Sequence, residues 1–229
     1  MTYLENCTLV CIDTKNQIEA LKAMDICLDQ MMFLRSKFFT NSLDGVKLDK
    51  FKNIKQIEII QIPEIKNKAD YSKFCLVELP KNIISDFCLT IQHDGYIIDS
   101  SCWTNDFMRF DYVGAPWPPE WEYKNRVGNG GFCLKSKKFL DVSYGIFKDF
   151  DFNTELNRSI YDISVNEDFL SCNIYYDEFI KSGVKFADEK IAALFSIEHP
   201  VPEMTDKSFG FHGNFTRRRY EKELFRSDD

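Results

Sequence analysis

The chain has 229 residues, 44% of them hydrophobic and 15% aromatic, enough to fill the core of one domain. Its 29 Lys and Arg against 36 Asp and Glu leave a net charge of −7, which excludes the broad positive footprint of a nucleic-acid binder. No apolar run approaches a membrane-spanning length, and residues Met1 to Asn6 lack the basic-then-apolar form of a secretion signal, so a cytoplasmic protein is expected.

Cys7 to Asp13 reads as a first strand, and Thr14-Lys15-Asn16-Gln17 is a capping-box pattern that opens a helix. Ile18, Leu21, Met24 (or Ile26), Leu28 and Met31 recur at helical spacing, which predicts a helix to about residue 31. Strand, tight loop, helix begins a βαβ unit, so a mainly parallel sheet is expected. Thr14 stands at the handover, as a helix N-cap, a nucleotide contact, or both. Met32-Phe33-Leu34 is a candidate second strand, and Ile57 to Ile62 a clear one that ends at Pro63. Asp70 to Phe74 opens a short helix predicted to stop before Pro80.

Phe87 to Gln92 is the best buried strand, and it runs into Asp94-Gly95, where the chain can turn sharply. Ligands gather at the carboxyl ends of strands in open α/β sheets. A carboxylate there is placed to hold a divalent cation against a phosphate-bearing substrate, or simply to make the turn. Residues 114–126, with Trp117, Trp121 and three prolines, read as an irregular loop whose aromatic faces suit sugar rings or simply pack at the surface. Gly128-Asn129-Gly130-Gly131 permits close backbone approach, with N–H groups that favour anions, but matches neither a Walker loop nor a dinucleotide fingerprint. Phe132-Cys133-Leu134 follows as a strand, and Ser136 caps a short helix over Lys137 to Leu140.

Asn166 is the natural cap of a helix beginning Glu167-Asp168, where the helix dipole would keep a carboxylate ionised and ready to act as a base. Tyr175 to Ser182 continues helically to Gly183, Val184-Lys185-Phe186 is a short strand, and Asp188 caps a helix carrying Ile191, Ala192 and Leu194. His212 lies among glycines and aromatics that would hold it in a tight turn. Thr216-Arg217-Arg218-Arg219-Tyr220 is a short basic patch, a solvated helix end or a weak contact with anionic lipid or an acidic partner. The eight cysteines form no Cys-x-x-Cys pair and mostly sit in apolar runs, so they read as small core residues. No repeat or low-complexity linker interrupts the chain, which favours one domain over residues 1–215 and a charged tail over 216–229.

Taken together, the Gln-x-Asp-Gly (Gln92 to Gly95), Gly-Ala-Pro-Trp (Gly114 to Trp117), Gly-Asn-Gly-Gly (Gly128 to Gly131) and Glu-Asp (Glu167-Asp168) motifs, in that order, resemble the GT-A class of nucleotide-sugar glycosyltransferases. The match is nearest to a group of glycosyltransferase-like domains that carry the same motif set. The resemblance implies an α/β fold, a single GT-A (Rossmann-like) domain with a mainly parallel central sheet flanked by helices. It implies a hexosyltransferase-like enzyme that moves a sugar from a nucleoside diphosphate sugar to a hydroxyl of a glycan or glycoconjugate. Gln92-His93-Asp94 stands where the class has its Asp-x-Asp motif, and His212 matches the C-terminal histidine, so Asp94 and His212 would hold Mn²⁺ or Mg²⁺. Asp168 matches the base of inverting members, with Glu167 beside it. Thr14, Gln92, Asp94, Asn129, Gly130 and Gly131 would meet the donor, and Trp117 and Trp121 the acceptor. Gln92 departs from the pattern: its amide can bond a ribose hydroxyl but removes a charge from the metal site. A retaining transferase in which Asp168 only positions the acceptor, and a catalytically silent carbohydrate- or nucleotide-binding module, are the competing readings.

Overall fold

A computed structural model describes residues 2–153, 165–205 and 207–213. The basic patch at Thr216 to Tyr220, and with it the tail expected over 216–229, lies outside the described residues. The strands are β1 (Thr2–Ile12), β2 (Met31–Thr40), β3 (Ile57–Gln61), β4 (Phe87–Ile91), β5 (Tyr112–Val113), β6 (Ala115–Pro116), β7 (Val127–Gly128), β8 (Phe132–Ser136), β9 (Ser196–Ile197) and β10 (Gly210–Phe211). Six of them form one sheet in the order β3-β2-β1-β4-β8-β5. The pairs among β3, β2, β1 and β4 are parallel, and β8 runs antiparallel to both β4 and β5. This is the expected α/β architecture. Residues 7–12 of β1 are all buried, as in a central strand covered on both faces.

The first helix, α1 (Gln17–Gln30), buries Ala20, Leu21, Ala23, Met24, Cys27 and Leu28. Two positions of the predicted stripe fall off it: Ile18 is 45% exposed, and Met31 already belongs to β2. The capping box does not form either. Asn16 is the N-cap but makes no side-chain cap bond, and the Asp13 carboxylate takes the first free amides, at 2.7 Å from Lys15 N and 2.6 Å from Asn16 N. A carboxylate at the strand end reaches those donors first. The second strand runs well past its apolar segment, because Arg35, Ser36 and Lys37 pair within it as well as Met32 and Phe33.

Helix α2 (Lys68–Lys73) opens at Asn67, whose side chain accepts from Asp70 N. It does not stop before Pro80. A π-helical turn over Phe74–Glu78 leads into α3 (Leu79–Asn82), with Pro80 in its first turn. The carbonyl that a proline leaves unpaired is the one four residues back, and Leu76 O is taken instead by Ser143 Oγ at 3.0 Å. That long-range bond removes the penalty on which the predicted stop rested. Ser143 lies on α4 (Lys137–Phe147), which Ser136 caps as expected but which runs well beyond Leu140.

Three further expectations are corrected. The segment 114–126 is bounded by an antiparallel pair, Ala115↔Gly128 and Pro116↔Val127, rather than being irregular throughout. Asn166 makes no side-chain cap bond to α5 (Glu167–Phe169), which passes into a π-helical turn over Leu170–Ile174 and breaks at Tyr175 before α6 (Tyr176–Lys181). Val184 to Phe186 contributes only one bridge, Phe186 to Tyr112, instead of a strand. Asp188 does cap α7 (Glu189–Phe195), accepting from Ile191 N. All eight cysteines are free and seven are buried. Among the described residues no helix is long and apolar enough to cross a membrane.

Candidate active site

Because β1 and β4 are adjacent and parallel, with Cys11 opposite Ile91, their carboxyl ends arrive side by side. Asp13 thereby comes next to residues 92–94. Its second oxygen lies 3.1 Å from His93 Nδ1. Burial works against the Asp13 charge, but the bonds from His93, Asn16 and Lys15 outweigh it and hold the carboxyl below its ordinary range. Thr14 is buried, and its hydroxyl accepts from Ile65 N at 3.1 Å, tying the strand end to the loop before α2.

The C-terminal pairing of β9 and β10 delivers His212. Its backbone N–H donates to Ile197 O and the next residue, Gly213, donates to Asp94 O. The ring then joins a chain of polar side chains. His212 Nδ1 is 3.0 Å from Glu198 Oε1, and Nε2 is 3.1 Å from Gln92 Oε1 and 3.5 Å from Asp94 Oδ1. The Gln92 amide donates onward to the Tyr71 hydroxyl at 2.7 Å. Burial opposes an imidazolium, but the carboxylates of Asp94 and Glu198 prevail and raise the His212 pKa to about 10. Conversely, burial works against the Asp94 charge, yet His212 holds that carboxyl below its usual value.

These atoms can be tested against the expected divalent cation. Among the described residues no three His, Cys, Asp or Glu side chains gather closely enough to hold a metal by themselves. Yet Asp94 Oδ1 is a buried oxygen without a hydrogen bond, and it and Gln92 Oε1 lie 3.5 and 3.1 Å from His212 Nε2. Neighbouring ligands on a cation with bonds of about 2.1 Å stand about 3 Å apart. Glu198 on the opposite ring nitrogen is the usual partner that orients a ligating histidine. The set could hold a cation that takes further ligands from outside the protein, and is not a cage made of protein alone.

The Glu167-Asp168 pair lies across the cleft. Burial pushes the Asp168 pKa up, although Asp168 Oδ2 accepts from Gly130 N at 3.0 Å and Oδ1 from Phe169 N at 2.7 Å. Burial, with the Asp168 charge second, carries Glu167 to about 7, and the buried Lys135 pulls the other way. The expectation of a low pKa at a helix N-terminus is overturned, since desolvation of two adjacent carboxyls exceeds the help from a three-residue helix. The thiols of Cys75, Cys88 and Cys133 near Lys135 are themselves pushed up by burial, and Glu167 is the carboxyl whose charge acts on that lysine.

The glycine loop serves this geometry in a way the sequence did not indicate. Two of its N–H groups are engaged within the protein: Gly130 donates to Asp168, and Gly131 donates to Asn129 Oδ1 at 2.9 Å. Asn129 itself is 1% exposed, behind the loop rather than in the cleft. What the glycines supply is room. A Cβ on Gly130 would lie 1.5 Å from Glu167 Oε1, and one on Gly131 would lie 2.1 Å from His212 Nε2.

Two clefts meet here. The first, of about 450 Å³, joins Asp13, Thr14, Gln92, Gly130, Gly131 and His212 with Glu167 and Asp168. The second, of about 500 Å³, is walled by Trp117, Trp121, Tyr123 and Phe169 and holds Glu198 and His199. Asn166 and Asp168 line both. Trp117 is almost fully buried, edge-on to Tyr123, whereas Trp121 is 40% exposed. Sequence reasoning missed Asp13, Tyr71, Lys135 and Glu198. Only Asp13 carried a signal, as a carboxylate ending an apolar strand in the same way that Asp94 follows β4.

The chain belongs to the family described as "Protein of unknown function (DUF5672)", whose model matches residues 55–212. No curated protein matches its sequence. Among solved structures it is similar to the galactosyltransferase LgtC in complex with donor and acceptor sugar analogs, with a TM-score of 0.53 and 11% identity over 97% of this chain and 96% of that one. It is also similar to a glycosyltransferase involved in the glycosylation of the major capsid of PBCV-1, with a TM-score of 0.52 and 12% identity over 96% of this chain and 98% of that one. A third is the apo-form glycosyltransferase GlyE of Streptococcus pneumoniae TIGR4, with a TM-score of 0.54 and 9% identity over 95% of this chain and 59% of that one. At these identities the likeness establishes the fold, that of GT-A glycosyltransferases.

Proposed function

We propose that this protein transfers a sugar from a nucleoside diphosphate sugar to a hydroxyl of a glycan-type acceptor, with inversion, and that Asp168 is the base. The observation that carries the reading is that two clefts of unlike character open onto one carboxylate, Asp168. The cleft at the strand ends takes the donor. Its diphosphate lies toward Gln92, Asp94 and His212, and the nucleoside toward Thr14 and the start of α1. The aromatic cleft takes the acceptor.

Asp94, His212 and Gln92 would hold a Mn²⁺ or Mg²⁺ ion, which when bound neutralises charge on the departing diphosphate. Asp168 Oδ2, oriented by the Gly130 N–H, removes the acceptor hydroxyl proton as that oxygen attacks the sugar carbon from the face opposite the diphosphate. A carboxyl whose pKa is raised is a stronger base than one held low, so the buried setting favours this step. Glu167, pinned against Gly130 and countered by Lys135, keeps the pair in place. Tyr71 fixes the Gln92 amide with its oxygen toward His212.

Asp168→Asn tests the assignment. The variant should bind a nucleoside diphosphate as the native protein does and lose transfer by about a hundredfold or more, the span typical of a removed general base. Native turnover in the variant would refute the base assignment, and product stereochemistry by NMR separates inversion from retention.

A further inference from the structure

We infer that the aromatic cleft accepts a neutral or amine-bearing sugar and turns away acidic ones such as uronates. This rests on the glycosyl-transfer reading and adds to it the class of acceptor. The wall of the cleft is built for a sugar ring. Trp121 presents its open face beside Tyr123 and His199, at ring separations of 5.4 and 4.9 Å, and Tyr123 stands edge-on to Phe169 at 5.1 Å. Such faces cover the apolar C–H side of a pyranose, and its hydroxyls are left to the polar groups opposite.

Those polar groups set the charge preference. They are the Asn166 amide and two carboxylates, Asp168 and Glu198. The basic residues on the neighbouring hairpin are already committed. Arg126 makes a paired bond to both oxygens of Glu203, each at 3.1 Å, and its Nε–H donates to Trp117 O. Lys124 is bonded to Asp177. His199, which lines the cleft, has its Nε2 3.7 Å from Glu198 Oε2. An acidic acceptor would bring a further negative charge toward Asp168 and Glu198, and the one basic side chain among the described residues that line the cleft, His199, already stands beside Glu198. A hydroxyl donates to either carboxylate, and an ammonium does so with charge to match.

The test uses donor-free protein and matched methyl glycosides of gluco and galacto configuration in neutral, 2-amino and uronate forms. Binding is followed by saturation-transfer NMR and by quenching of tryptophan fluorescence. Neutral and amino forms should bind, with the uronates at least tenfold weaker at low ionic strength. The gap should narrow at high salt and in Glu198→Gln, whose amide keeps an oxygen for His212 while removing the charge. Trp121→Ala should lose all of the glycosides. Uronates that bind as well as their neutral partners overturn the inference, as does a gap that salt leaves unchanged. If no glycoside binds while a nucleoside diphosphate still does, the acceptor inference alone falls. If neither binds, the glycosyl-transfer reading falls with it.

Discussion

Gly130→Ala is the most direct probe of how this site is assembled. Gly130 is not among the residues with positive φ, so an alanine suits the backbone and only space is at issue. The new Cβ would sit 1.5 Å from Glu167 Oε1, where ordinary contact begins at 3.4 Å, so the carboxylate must retreat by about 2 Å. Glu167 is only 7% exposed, which leaves it little room to turn. Overpacking of this kind costs about 1–3 kcal/mol, or about 2–12 °C in Tm for a domain of this size. The Gly130 N–H that holds Asp168 moves with the strain, and a misplacement of about 1 Å at a reacting group lowers turnover by about a hundredfold. The assay is initial-rate transfer from nucleotide sugar to acceptor, beside thermal melts of the same samples. Gly145→Ala is the control, because its Cβ meets nothing within 4 Å in the middle of α4; it should raise stability by about 0.5–1 kcal/mol. A Gly130→Ala variant with native transfer rate and Tm would refute the claim that the glycine exists to admit Glu167.

Lys135→Met should raise the Glu167 pKa further, since the buried ammonium opposes the upward shift that burial and Asp168 impose; a carboxyl titration followed by NMR that does not move would show that the two are not coupled. Stability should also fall as pH rises from about 4.5 to about 7 through the contribution of Glu167. Its folded pKa lies above the unfolded one, so the folded state holds the extra proton in that window and loses the benefit above it. Glu167→Gln should flatten that part of the profile, and an unchanged slope would assign it to other groups. Ser143→Ala leaves Leu76 O unpaired in the interior and should cost about 1–3 kcal/mol. In a Pro80→Ala background, where an amide N–H returns four residues on, the same change should cost clearly less; strict additivity would rule out the compensation.

Much of the frame is legible in the chain because its cause is local. The apolar runs of β1 and β4, the Ser136 and Asp188 caps and the Gly183 stop each depend on residues within a few positions. Partnerships across the fold are another matter. Glu198 reaches His212 from fourteen residues away and Gln92 reaches it from 120, and no local pattern announces either. The helix through Pro80 follows from the same kind of distant bond. Thr14 looked like a cap and serves as a tie to Ile65, because Asp13, one residue earlier, captures the free amides first.

By itself, then, the sequence determined that β1 and β4 would be buried strands ending in carboxylates, and that glycines, a Glu-Asp pair and a histidine would follow in order. Only the tertiary structure decided what those residues mean to one another. Parallel pairing of β1 with β4 set Asp13 beside residues 92–94, and the β9–β10 pair set His212 against Asp94. Burial then reversed the expected electrostatics of Asp168 and Glu167. The physical reason is that hydrophobic pattern and capping act over a turn or a strand, whereas desolvation and charge pairing depend on everything within a few ångströms, whichever part of the chain supplies it.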